Sequence, residues 1–587
     1  MSNTIDYQQR SLGLTFTPEH TARIYVWAPF ATKVAVTSPA NLSELPLQKD
    51  TDGYWYTETD QIKPGDLYTF VINDEQEFAD PASLIQPQGV YGPSEAFDTS
   101  AFYWEDAHWI NPPIDEYIIY ELDICTFTPE GTLKALIRKL NHLKKLGVTA
   151  ILLRPVTPFL NPNNRQQGAP FLYAIQTSCG GPAHLQQLVN ACHFEGIAVI
   201  LDLVYHRVEQ PAKEFGNFGL LANSQARLPN RKPALSYEAH ERYLIENMLM
   251  WFREFHIDAL QLTGSQTLSN ADQLLHQMRT HTSALTRITG RQYYLLAEHD
   301  MTQRLSVNDL QTWDLPVEQV SPEKMAEATG ISFDLEMVAK RCQTRHYQES
   351  YLYDSHFSEA LNELFDQGDG VGEGLKSVSQ KGHKAQHSLL EAYAGQSLST
   401  EFVKLMAGYI LVSPCIPTLF MGEEWGAMNP FQTLAPGEPV PMDSAPESLL
   451  IDQESQSVSA LPWEMLSEQP CRTLYQYYQS LTALRRQQPA LYHLNPKQTR
   501  TIHKEGEPTI RMHRSFKANE VVCLMNFSPE KQIVTLPDLG NGWQKLLDSA
   551  DPVWGGPGPS PELVTNTTTL TLQPESIVIY KVLPQNC

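Results

Sequence analysis

Ile197-Ala-Val-Ile-Leu-Asp202 follows directly on a stretch with helical spacing over residues 184–195. A short, continuous apolar run closed by an acid reads as a parallel strand buried on both faces. Working outward, Val148-Thr-Ala-Ile-Leu-Leu153 is a second run of the same kind. Between it and the short apolar run Tyr117-Ile-Ile-Tyr-Glu121, Leu133 to Leu146 again carries helical spacing. Further runs end at Ile257–Leu262, Tyr294-Leu-Leu-Ala-Glu298, Ser377–Lys381 and Thr418-Leu-Phe-Met421, and a helix over 472–487 closes the series. Strands alternating with helices predict a parallel sheet. Polar residues at the C-terminal ends of these strands predict a closed (β/α)8 barrel, with its ligand site gathered at that face.

The flanks have a different texture. Arg23-Ile-Tyr-Val-Trp27, Lys33-Val-Ala-Val-Thr37, Gly53-Tyr-Trp-Tyr-Thr57 and Leu67-Tyr-Thr-Phe-Val71 alternate as half-buried strands do, with Gly, Pro and Asp between them. Asn111-Pro-Pro113 makes a stiff boundary. Alternation returns in Val521-Val-Cys-Leu-Met-Asn526 and Ser576-Ile-Val-Ile-Tyr-Lys581, while Trp554-Gly-Gly-Pro-Gly-Pro-Ser560 reads as a loop. The predicted organisation is α/β: an N-terminal β-sandwich over 1–110, a (β/α)8 TIM barrel over 111–490 and a C-terminal β-sandwich over 491–587.

Composition narrows the partners. A chain of 587 residues with 42% hydrophobic and 19% charged residues has ample core for several domains. The formal net charge of −24 opposes binding to nucleic acid or an anionic membrane and leaves a neutral ligand such as a sugar unaffected. The polar start MSNTIDYQQR has no apolar core of a secretory signal, and no run is long enough to span a bilayer, so a cytoplasmic location is expected. Eight cysteines without CxxC spacing read as reduced packing thiols, with no cofactor and no metal site expected. His383 and His387 lie four apart without an acid cluster and read as surface residues; Asp354-Ser-His356 lacks a nucleophile elbow.

A series of segments then occurs in a fixed order. They are Trp27-Ala-Pro29, Tyr120-Glu121, Thr126-Phe-Thr-Pro-Glu-Gly-Thr132, Leu146-Gly-Val-Thr149, Gly180-Gly-Pro182, Leu201-Asp-Leu-Val-Tyr205, Ala297-Glu298 and Phe420-Met-Gly-Glu-Glu-Trp425. Together they resemble the malto-oligosyltrehalose trehalohydrolases, relatives of the glycogen branching enzymes in the α-amylase superfamily. The resemblance implies a carbohydrate-binding-like N-terminal sandwich, a catalytic barrel and a C-terminal sandwich. It also implies retaining cleavage of an α-glycosidic bond by two carboxyl groups about 5–5.5 Å apart.

Against that pattern the site residues diverge. By resemblance Glu298 holds the general-acid position and Asp202 an acid that orients the site. The family writes its nucleophile strand D-G-x-R-x-D-A, whereas here the frame is Asp258, Ala259, Leu260, Gln261, Leu262, Thr263, Gly264. Thr263 therefore stands at the nucleophile position and Gln261 at the arginine. Lys381 and Gly382 fall on a His-Asp pair that grips sugar hydroxyls, and His206 and Arg207 replace the Asn-His that ends the motif after Asp202. Gln167 and Gly168 fall on the Tyr-Asp of the pocket wall. Carboxylates are thus missing at 168, 263 and 382, and cations arrive at 207 and 381. A site that must stabilise developing positive charge would carry added positive charge instead.

The expectation is a pseudoenzyme whose barrel is kept to bind an α-glucan, a malto-oligosaccharide or a protein partner. The alternatives are an active trehalohydrolase-type glycosidase with rearranged groups, for which Asp258 is the nearest spare acid, and a structural subunit with a closed pocket. Asp258 lies five residues before Thr263, an odd offset that turns it to the opposite side of the strand. Lys381 or Arg207 is expected to pair with Glu298 or Asp202 and fill the deepest sugar subsite.

Overall fold

The computed structural model describes residues 5–158, 171–205, 218, 234–263, 271–297, 399–427, 460–494 and 498–583, with short gaps inside these stretches. Six parallel strands form the central sheet, in the order Tyr294–Ala297, Ala259–Thr263, Ala198–Val204, Ala150–Leu153, Ile119–Leu122, Thr418–Phe420. The first strand in sequence, Ile119–Leu122, pairs with the second on one side and with Thr418–Phe420, from the far end of the domain, on the other. That pairing is what closing a sheet into a barrel requires, and an open doubly wound sheet does not place its first and last strands together.

Period 2 along each strand sorts the core into two parts. Ile119, Ala150, Leu152, Ala198, Ile200, Ala259, Tyr294 and Leu296 form one buried cluster, the barrel interior. Their neighbours, among them Tyr120, Ile151, Leu153, Val199, Leu201, Leu260 and Leu295, join the larger cluster beneath the helices. A strand buried on both faces needs apolar residues at both parities, and the unbroken runs in the sequence supply them.

Element ends moved where local chemistry intervened. The helix expected over 133–146 is two, Leu133–Ile137 and Leu140–Leu146. The break falls at Lys139, whose ammonium lies 3.7 Å from the centroid of the Trp463 ring. The helix expected from 184 begins at Gly181, because Gly180 (φ 119°) and Gly181 (φ 66°) adopt a left-handed turn and Pro182 fits the first helical turn. Strand 198–204 runs two residues past Asp202, since Val204 still pairs with Thr263, so Asp202 lies inside the ladder and does not end it.

Antiparallel sheets flank the barrel on both sides. In the N-terminal region, Ala22–Trp27 pairs with Gly13–Phe16 and Tyr54–Thr59, and Val34–Ser38 pairs with Leu67–Ile72. It docks on helix Ala234–Glu254, where the Tyr243 hydroxyl donates to the Pro81 carbonyl at 2.7 Å. The C-terminal region centres on Asn519–Asn526 between Thr509–Phe516 and Ser576–Val582. Its buried Arg514 donates to the carbonyls of Val412 and Ser413 at 2.8 and 2.9 Å, and Arg485 to those of Leu411 and Ser413. Two cations thus satisfy the open carbonyls, and the negative dipole end, of helix Thr400–Val412.

Candidate functional site at the barrel mouth

Two residues beyond the apolar interior layers, toward the C-terminal strand ends, the inward parity changes character. Ile119 gives way to Glu121, Leu152 to Arg154, Ile200 to Asp202, and Ala259 to Gln261 and then Thr263. All five polar residues are buried or half-buried. The strands thus bring two carboxylates, a guanidinium, an amide and a hydroxyl to the mouth.

Two contacts organise them. The Thr263 hydroxyl donates to Asp202 Oδ1 at 2.5 Å, across the ladder that sets Asp202 opposite Gln261 and Val204 opposite Thr263. Arg154 Nε donates to Glu121 Oε1 at 2.9 Å, with side-chain exposures of 13% and 5%, and the guanidinium lies 5.0 Å from the Phe420 ring centroid. Water is largely excluded from this pair, so it needs good geometry and further hydrogen bonds to offset desolvation.

The hydroxyl of Thr263 is committed as a donor to Asp202, and a secondary hydroxyl is a poor nucleophile without a base strong enough to take its proton. Gln261 is 2% exposed and supplies an amide where a guanidinium was expected by resemblance. Glu298, Arg207, Lys381 and Gly382 lie outside the described residues, as do His206, Gln167, Gly168, His383, His387, Asp354 and His356. The expected pairing of Lys381 or Arg207 with Glu298 or Asp202 falls there too. Arg154 was missed as a mouth cation; the signal was available, because it follows an inward Leu152 by two on a strand already recognised. Among the described residues no cluster of His, Cys, Asp or Glu could hold a metal ion.

Asp258, the spare acid of the rearranged-enzyme alternative, sits at the other end of the same strand. Its carboxylate accepts from Trp109 Nε1 at 2.7 Å and the Val199 amide at 2.7 Å, and His193 Nε2 lies 2.9 Å away. Asp106 binds His193 Nδ1 and His256 Nδ1, each at 2.8 Å, and receives two hydrogen bonds from the Arg291 guanidinium at 3.0 Å. Burial alone would raise the Asp106 carboxyl, but hydrogen bonds from His193, His256 and Arg291 outweigh it and hold it well below the usual carboxylate range. Burial likewise opposes charge on His193, yet Asp258 and Asp106 raise its proton affinity above the ordinary imidazole value.

A closed parallel barrel with its polar residues at the C-terminal strand ends defines a class, the (β/α)8 barrels whose ligand site lies at that face. The model of the alpha amylase catalytic domain matches residues 86–219, and a domain of unknown function (DUF3459) matches residues 509–579. A malto-oligosyltrehalose trehalohydrolase from Arthrobacter ramosus is 30% identical over 80% of this chain and 87% of its own length. One from Saccharolobus solfataricus is 30% identical over 73% of this chain and 76% of its own. The chain belongs to the malto-oligosyltrehalose trehalohydrolase family of the α-amylase superfamily. Among solved structures, a putative alpha amylase from Salmonella typhimurium matches 98% of this chain and all of its own, with a TM-score of 0.70 at 22% identity. A pullulanase from Paenibacillus barengoltzii, complexed with maltotriose, matches 98% and 97%, with a TM-score of 0.66 at 18% identity.

Proposed function

We propose that this chain is a non-catalytic member of its family, a barrel kept to bind an α-glucan or malto-oligosaccharide, or a protein partner, at a mouth that no longer cleaves. The observation that carries this reading is Thr263, at the nucleophile register, with its hydroxyl donated to Asp202 at 2.5 Å. Retaining cleavage needs a carboxylate there. Removing the nucleophile of a serine protease costs on the order of 10⁶ in rate. The engagement of Asp258 at the opposite strand end leaves a rearranged mechanism without its nearest substitute. The Arg154–Glu121 pair, held side chain to side chain inside the mouth, supports a deepest subsite with its polar groups turned to each other.

The test uses the full chain with maltotriosyltrehalose and starch. No trehalose and no reducing sugar should appear above a blank, while calorimetry with maltotetraose should show weak binding, because the deepest subsite no longer takes a glucosyl ring. Restoring groups by Thr263→Asp with Gln261→Arg should not recover turnover alone, because the substitutions at 207, 381 and 382 remain. Wild-type turnover that disappears in Glu298→Gln would show a living site and overturn the proposal.

A further inference from the structure

Cys125 and Cys179 lie 54 residues apart in sequence, and their Sγ atoms are 3.2 Å apart. Cys125 belongs to the one-turn helix Ile124–Phe127, which follows the C-terminal end of strand Ile119–Leu122. Cys179 ends the 3₁₀ turn Thr177–Cys179, just before helix Gly181–Glu195, which leads back to the start of strand Ala198–Val204. Both segments therefore belong to the connections that rim the barrel mouth.

Each segment is anchored independently. The Cys125 amide donates to Asp123 Oδ1 at 2.8 Å, and the carbonyl of its neighbour Thr126 accepts from the Leu461 amide at 3.0 Å. On the other side, the Cys179 amide donates to the Gln176 carbonyl at 3.2 Å, and the Gln176 amide to the Val156 carbonyl at 2.8 Å. Backbone anchoring fixes the two thiols face to face, and both side chains are buried, at 7% and 5% exposure. A disulfide needs its sulfurs about 2.05 Å apart, a shift of about 1 Å from the observed contact and within reach of small side-chain rotations.

We propose that Cys125 and Cys179 form a redox pair that closes to a disulfide, cross-linking the first and second strand-to-helix connections of the mouth. With a hydroperoxide, the thiolate of one cysteine attacks the peroxide oxygen, giving a sulfenic acid and one molecule of water or alcohol. The second thiol then attacks that sulfur, the S–S bond forms and a molecule of water leaves; two thiols are oxidised and one peroxide is reduced. With a small disulfide such as oxidised glutathione, two exchange steps release two small thiols. Burial makes either route slow, on the scale of minutes to hours. This pair acts on the rim whether or not the site within it is catalytic.

The experiment incubates the full chain with hydrogen peroxide or oxidised glutathione for hours, then denatures it, alkylates free thiols and maps peptides by mass spectrometry. The expected result is loss of two of the eight thiols, a peptide joining Cys125 to Cys179, and full reversal by dithiothreitol. Cys125→Ser and Cys179→Ser should each abolish the loss. Because the wild-type map stands alone, a variant that fails to fold does not remove the test. Retention of all eight thiols, bridges to other cysteines, or overoxidation of one sulfur without a bridge would each overturn the proposal.

Discussion

The two ends of the barrel hold their described polar groups in different ways. In barrels of this kind the C-terminal face carries the chemistry, and the N-terminal face carries stability. Among the described residues a dense set of ionisable groups lies at the N-terminal face, where Asp106, His193, His256, Asp258 and Arg291 satisfy one another. Trp109 stacks on His193 at 4.5 Å and Trp104 on His256 at 3.7 Å, sealing the network. At the mouth Arg154 is bound to Glu121 and Thr263 to Asp202. Charge clustering therefore marks a structural latch in this molecule. It fastens the segment entering the barrel to its floor.

The largest effect should follow from breaking that latch. Asp106→Ala strands two imidazoles and a guanidinium, all partly or wholly buried, and should lower stability by about 3–5 kcal/mol in urea unfolding. A loss under about 1 kcal/mol would break the comparison. The pH dependence sharpens it. His193 holds its proton more tightly when folded, so its contribution is complete below the unfolded value of about 6.5 and is lost as pH rises through the raised folded value. Asp106 works in the other direction, contributing above the unfolded value of about 3.9 and losing that contribution on acidification. His256, whose proton affinity is lowered chiefly by burial, adds a loss as pH falls below about 6.5. Melting curves of His193→Gln should lose the alkaline decline and keep the acid one. An unchanged alkaline decline would remove His193 from the account.

An intermediate effect is expected from the pair inside the mouth. Arg154→Met removes the guanidinium that donates to the buried Glu121 carboxylate and should cost about 2 kcal/mol, less than at the floor because solvent is nearer. The double variant Glu121→Leu with Arg154→Met should recover most of that loss, since apolar groups of similar volume often replace a buried pair without penalty. If the double loss equals the sum of the single ones, the two residues do not act as a pair.

Much of the barrel was legible because buried parallel strands must be apolar at both parities, and runs such as Ile197–Leu201 can hardly be anything else. The mouth was legible in part. Asp202, Gln261 and Thr263 follow from counting by two along recognised strands, and the structure brings Asp202 and Thr263 together. Arg154 is readable by the same count, two residues past the inward Leu152. Nothing in the sequence announced the latch. Asp106 and Arg291 are 185 residues apart, and their meeting depends on how the entering segment crosses the barrel floor. The Cys125–Cys179 contact is of the same kind, since cysteine spacing carries information only when ligands or bridges are local in sequence.

The smallest effect, and the most direct test of what the mouth has become, is expected from Thr263→Val. The substitution keeps the β-branched shape that suits the strand and removes only the hydroxyl that donates to Asp202. Losing one donor to a buried carboxylate costs about 1–3 kcal/mol when nothing replaces it. Thr263 is half-buried at the open end of the ladder, where a water molecule can take the vacated position, so about 1 kcal/mol is expected. Thr263→Ser, which retains the donor, should fall within about 0.5 kcal/mol of wild type. Urea unfolding of the two variants separates the hydrogen bond from the packing. A Thr263→Val loss near 3 kcal/mol would make the mouth as tightly tied as the floor and erase the contrast between them. No loss at all would mean that Asp202 holds its place through its other neighbours, with Thr263 left as a strand residue of suitable shape.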